Sequence, residues 1–85
     1  LPVTFHDCTG PVALATSVHA ALAVPNSFIQ EVVRAFYYSW YGDIVTQLPP
    51  LHNGTIEAPA GPGHGLSLQP DVKTRPGARV RRSAL

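Results

Sequence analysis

The sequence is poor in charge, in sulfur and in long apolar runs. Of its 85 residues, 13% are Asp, Glu, Lys or Arg, about half of the usual quarter. Six basic against five acidic side chains leave a formal net charge of +1. A field this weak recruits neither nucleic acid nor an anionic membrane surface, so neither is expected as a partner. No stretch approaches the roughly 18 apolar residues of a membrane-spanning helix, and no basic leader precedes an apolar segment. Cys8 is the single cysteine and methionine is absent. One thiol builds no disulfide framework and no Cys-rich metal site, which points to a reducing compartment and a cytoplasmic location. His6, His19, His52 and His64 share no i, i+4 spacing, so no zinc site is indicated. The chain opens on Leu1 rather than Met, directly on a strand-like segment, and reads as a fragment.

What is present is 45% hydrophobic, enough for a packed structure rather than a disordered one. Val3, Thr4 and Phe5 are β-branched or aromatic and lead to His6, and the polar turn Asp7-Cys8-Thr9-Gly10 follows, which predicts a short strand. Pro11 suits the first position of a helix. From Pro11 to Ala23 the segment is Ala-rich, with Leu14, Val18, Ala21 and Leu22 at i, i+4, i+7 and i+8, so a helix with one buried stripe is predicted, and His19 falls on its exposed face. Pro25 ends it. Ser27, Phe28 and Ile29 resume an extended run that arrives at Gln30-Glu31, completing a βαβ unit of the kind found in parallel α/β sheets.

Beyond Glu31, residues Val32, Val33, Phe36, Tyr37, Trp40 and Tyr41 recur near a spacing of four, which predicts a helix running to Tyr41 and interrupted by Gly42. Five of the seven aromatic residues sit there, and such a stripe reads as a packing face. Asn53-Gly54 lies between Leu51-His52 and Thr55-Ile56 and supplies the positive φ angles of a tight β-hairpin. Asn53-Gly54-Thr55 also matches a glycosylation acceptor, but with no secretory signal the turn explains it. In Gly61-Pro62-Gly63-His64-Gly65 the alternating glycines allow backbone to approach something closely, another domain or a ligand. No Lys-Ser/Thr ending or helix follows, so this is not a phosphate loop. The C-terminal half holds six of the nine prolines, and Lys73, Arg75, Arg79, Arg81 and Arg82 form a basic, solvated tail without interleaved aromatics.

His6 and Glu31 each close a predicted parallel strand, 25 residues apart. Barrels and open parallel sheets place reacting side chains at that end of the strands, which makes this pair the candidate catalytic residues. Cys8 is a rival partner for His6 as a Cys–His nucleophile, although Gly10-Pro11 turns the chain away.

His6-Asp7-Cys8-Thr9-Gly10-Pro11-Val12, then Gln30-Glu31, then Pro62-Gly63-His64-Gly65 resemble the C-terminal end of the mandelate racemase group of the enolase superfamily, the sugar-acid (galactonate-type) dehydratases above all. The resemblance extends to about Asp71. It implies an α/β fold, the C-terminal end of a modified TIM barrel, (β/α)7β. Residues 1–33 would be the last βα unit and the final strand, 34–72 a segment returning toward the capping domain, and 73–85 the basic tail.

The resemblance further implies a lyase that removes the proton α to a carboxylate and eliminates the β-hydroxyl. His6 would act as general acid or base, and Glu31 would hydrogen-bond the enolate. A neutral carboxyl suits that role when apolar surroundings protect it, and Phe28, Ile29 and Val32 are the nearby candidates. Mg²⁺ would be the cofactor, with its ligands and the Asp that pairs with the histidine upstream of Leu1 and none in this chain. The substrate would be a small sugar acid and the full-length protein a homo-oligomer. Racemisation or epimerisation by the same site, or an inactive truncated remnant, are the alternative readings. His64 departs from the more usual Pro-Gly-Leu-Gly loop of that group, which bears on contact with the cap.

Overall fold

The computed structural model describes residues 1–84. Strand β1 (Val3–Phe5) is followed by helix α1 (Pro11–Ala23) and strand β2 (Ser27–Gln30), and β1 and β2 pair in parallel. Pro11 stands at the helix start, where its missing N–H costs nothing, and Gly10 O accepts the Leu14 N–H at 3.0 Å. Val24 turns extended ahead of Pro25, as a residue before proline prefers. The predicted βαβ unit is therefore present. His6 and Glu31 lie one residue beyond their strands rather than within them.

The ladder between the two strands is not regular. Val3 pairs with Ser27, but Thr4 pairs with Ile29 and Phe5 with Gln30, so β2 carries one extra residue between the first two rungs. Continued regularly from Val3 and Ser27, the pairing would place Gln30 opposite His6. With the extra residue it is Glu31 whose N–H reaches Phe5 O, at 2.9 Å, and Glu31 that lies alongside His6.

The aromatic segment differs from expectation. Instead of one helix to Tyr41 there are two single turns, α2 (Arg34–Tyr37) and α3 (Tyr41–Ile44), and Gly42 lies inside the second. The cause is upstream: Val33 is held extended with its N–H on the Asp7 carboxylate, so no helix starts before Arg34. The bulky rings that follow have weak helical preference and are placed by packing. Phe36, Trp40 and Tyr41 form a cluster with ring centroids 4.6–6.0 Å apart. Leu14, Val18 and Tyr41 make the small core, against which Val32, Phe36, Leu48 and Ile56 pack. Leu22, expected in the buried stripe, is exposed, because the core ends one turn earlier at Val18.

Strands β3 (Leu51–His52) and β4 (Thr55–Ile56) form the expected antiparallel hairpin, with Asn53 and Gly54 both at positive φ. The glycine-rich loop folds back onto its own chain. A Cβ on Gly65, at φ 80°, would meet Pro59 Cβ at 2.7 Å and the Pro59 and Ala60 carbonyl oxygens at 2.9 Å. The Gln47 amide donates to the Gly65 carbonyl. His19 is half-buried rather than exposed because its Nε2 lies 3.2 Å from His64 O, and His64 Nδ1 accepts the Leu66 N–H. Past the short 3₁₀ turn Val72–Thr74, Arg75 is not a free cation of the tail. It holds both carboxylate oxygens of Asp71, and this pairing keeps the exposed Asp71 carboxyl below the usual carboxylate range.

The accessible surface of 6227 Å² exceeds the roughly 4,900 Å² of a compact protein of 9.1 kDa. The radius of gyration, 14.0 Å, is likewise above the roughly 12 Å of a compact chain this long. Adjacent residues Phe28 and Ile29 are 71% and 51% exposed on a two-stranded sheet. The isolated 85-residue chain is accordingly expected to melt without a cooperative transition when ellipticity is followed against temperature; a sharp sigmoidal melt would contradict this. Gly65→Ala is expected to cost about 1–3 kcal/mol from backbone conformation alone, with the clash added, read as a lowered denaturant midpoint in a protein carrying this segment.

Candidate active site

The candidate pair meets in space. His6 Nε2 lies 3.7 Å from Glu31 Oε2, and both side chains are open, 73% and 47% exposed. Parallel pairing brings them together: two strands running the same way end on the same edge, and their last residues become neighbours. Phe28 and Ile29 are too exposed to enclose the Glu31 carboxyl, so the apolar surroundings expected of them are not supplied within this chain.

Cys8 also comes near, with Sγ 3.9 Å from His6 Nδ1. The two ring nitrogens thus face different neighbours, Nε2 toward Glu31 and Nδ1 toward Cys8. Gln30 takes no part beside His6; its Nε2 donates to Glu31 O at 2.8 Å.

The residue missed in the sequence is Asp7, read there as part of a polar turn. It is 2% exposed and its carboxylate is fully engaged. Oδ2 accepts the Val33 N–H at 2.9 Å and Oδ1 accepts the Tyr41 hydroxyl at 2.6 Å, while the Asp7 N–H donates to Glu31 Oε2 at 2.8 Å. Burial, and then the hydrogen bond to Asp7, push the Tyr41 hydroxyl well above its ordinary value, so it stays a donor at any physiological pH. A signal did exist: an acid directly after His6, in a chain with only five Asp and Glu, combined with a tyrosine in the aromatic stripe. No local pattern connects residues 34 positions apart.

Among the described residues no three His, Cys, Asp or Glu side chains converge as a metal site requires, and no helix is long and apolar enough to cross a membrane. The arrangement within this chain offers an imidazole that can take up or release a proton and a carboxyl beside it that can hydrogen-bond.

The fold and a matching family model define the class. The family model described as "Enolase C-terminal domain-like" matches residues 1–72, and the chain belongs to that family, an α/β fold of TIM-barrel type. Over 72 residues it is 34% identical to a D-xylonate dehydratase of Haloferax volcanii, covering 85% of this chain and 17% of that protein. Over 70 residues it is 27% identical to a D-gluconate dehydratase of Thermoproteus tenax, covering 82% and 14%. Among solved structures, an enolase of the mandelate racemase subgroup from Agrobacterium tumefaciens superposes with a TM-score of 0.79 at 51% identity, over 87% of this chain and 20% of that one. An enolase protein from environmental sequencing of the Sargasso Sea gives 0.84 at 46%, over 99% and 22%. The chain thus spans less than a quarter of the length of these relatives.

Proposed function

We propose that this chain supplies the C-terminal part of an acid-sugar dehydratase in which His6 and Glu31 take part in the chemistry. The observation that carries this reading is the 3.7 Å approach of the two side chains at the ends of adjacent parallel strands. It gains support from the likeness to D-xylonate and D-gluconate dehydratases.

In the reaction a base outside the described residues removes the proton α to the carboxylate. Charge then develops on the carboxylate oxygens as the enolate forms, and a hydrogen-bond donor placed there lowers the barrier. Glu31 is that donor once the rest of the enzyme supplies the apolar surroundings that keep a carboxyl neutral. His6, as imidazolium, gives its proton to the β-hydroxyl, which leaves as water, and the resulting enol becomes a 2-keto-3-deoxy acid. An imidazole suits this step because it changes charge near neutral pH. Enolase-superfamily members generally use Mg²⁺, which stabilises the enolate charge when bound; its ligands belong to parts of the enzyme outside this chain. The same reading gives residues 1–33 to the barrel, 34–72 to the segment facing the cap and 73–85 to a tail. It makes the whole enzyme a cytoplasmic homo-oligomer with neither nucleic acid nor membrane as partner, and the 85-residue chain alone inactive.

In the complete enzyme, His6→Ala and Glu31→Gln are expected to lower kcat by about 10²- to 10⁴-fold with the fold kept. Unchanged rates would overturn the assignment. Product analysis by NMR with sugar-acid substrates is expected to show a 2-keto-3-deoxy acid; inversion at the α-carbon without loss of water would make the enzyme a racemase or epimerase.

A further inference from the structure

Asp7 is buried, and its hydrogen bonds reach the residue after β2, the residue before α2 and a side chain of α3. Its amide holds Glu31 Oε2, and its carboxylate holds Val33 N–H, two residues beyond Glu31. With the Glu31 N–H already on Phe5 O, the acid is fixed at its own backbone, at its carboxylate and just past it. One oxygen of Asp7 alone would leave its carboxylate free to swing. The Tyr41 hydroxyl takes the other, and Tyr41 is itself fully buried, edge-on to Trp40 with ring centroids 4.6 Å apart.

We propose that Asp7 and Tyr41 are a positioning pair for the site: the phenol locks the buried carboxylate, and the locked turn presents the Asp7 amide to Glu31 Oε2 so that Oε1 remains the oxygen that can meet substrate. Glu31 Oε2 is occupied from one side by the Asp7 N–H and faces His6 Nε2 from another, so a proton donated to substrate leaves from Oε1. The pair ties the aromatic segment to the angle of the carboxyl that directly follows β2. This inference rests on the reading of Glu31 and His6 as reacting groups.

The test uses Asp7→Asn, Asp7→Ala and Tyr41→Phe in the complete enzyme, with kcat and KM measured per folded molecule and melting temperature measured alongside. In Asp7→Asn the amide oxygen can take the Val33 N–H and the amide N–H can donate to the Tyr41 oxygen, so the turn keeps its place without the charge. Asp7→Asn is therefore expected to hold kcat within about threefold, while Asp7→Ala and Tyr41→Phe lower it by about 10- to 100-fold with KM changed far less. The Asp7→Ala/Tyr41→Phe double variant is expected to be no slower than the worse single one, since both remove the same lock. Melting temperatures that fall while kcat stays at the parent value would reduce the pair to a structural role and overturn the proposal. Asp7→Asn as inactive as Asp7→Ala would overturn it in the other direction, making the charge itself essential. If Asp7→Ala does not fold, Tyr41→Phe decides. Glu31→Gln assayed in parallel separates the two readings: turnover retained there defeats the site assignment, whereas turnover lost there with parental kinetics in Tyr41→Phe defeats only the positioning pair.

Discussion

The Asp7 carboxylate sits in the interior of a chain that has little interior, and a buried charge survives there only when donors replace the water it gave up. Two do so, a backbone N–H from the segment after β2 and a phenol from α3. Leaving either oxygen bare would cost about 1–3 kcal/mol, comparable with the burial of a whole aliphatic side chain. The path of residues 31–41 follows from this requirement. The chain stays extended through Val33 to deliver its N–H, turns once as α2, and breaks so that Tyr41 can return to Asp7. A run whose apolar spacing suits a helix is thus cut in two by one carboxylate ahead of it.

Much of the local architecture is legible in the residues themselves. Pro11 and Pro25 bracket α1, Asn53-Gly54 dictates the hairpin turn, and Val3-Thr4-Phe5 and Phe28-Ile29, β-branched or aromatic, mark the two strands, because each of these is a preference exercised within a few residues. His6 and Glu31 are legible as a site for a related reason: parallel strands in one βαβ unit must end at the same edge. What sequence reading misses is non-local. The lock between Asp7 and Tyr41, the hold of His64 on His19, and the close fit of Gly65 against Pro59 and Ala60 all join positions that no periodicity relates. The break in the aromatic helix and the exposure of Leu22 follow from where that small core closes.

The chain divides its labour along the same line. Groups that can exchange protons, His6 and Glu31, are open at the strand ends. Groups that hold them, Asp7 and Tyr41, are shut away from solvent and keep fixed partners. Such separation leaves the exposed side chains accessible while the groups beneath them hold the turn that carries them in place.

The extra residue in β2 changes how members of this family should be compared. Side chains along a strand alternate in parity, and one additional residue inverts that parity for everything after it. Upstream of the irregularity the inversion is invisible; downstream it decides whether an acid or an amide stands next to the imidazole, since Gln30 and Glu31 are neighbours in the chain. An amide can donate a hydrogen bond but is no acid. A relative that gained or lost a single residue between the helix and this point would exchange a carboxyl for an amide beside the imidazole while scoring almost identically in an alignment. The meaningful correspondence between two such chains is therefore rung by rung across the ladder, counted back from the histidine, and not position by position along the sequence.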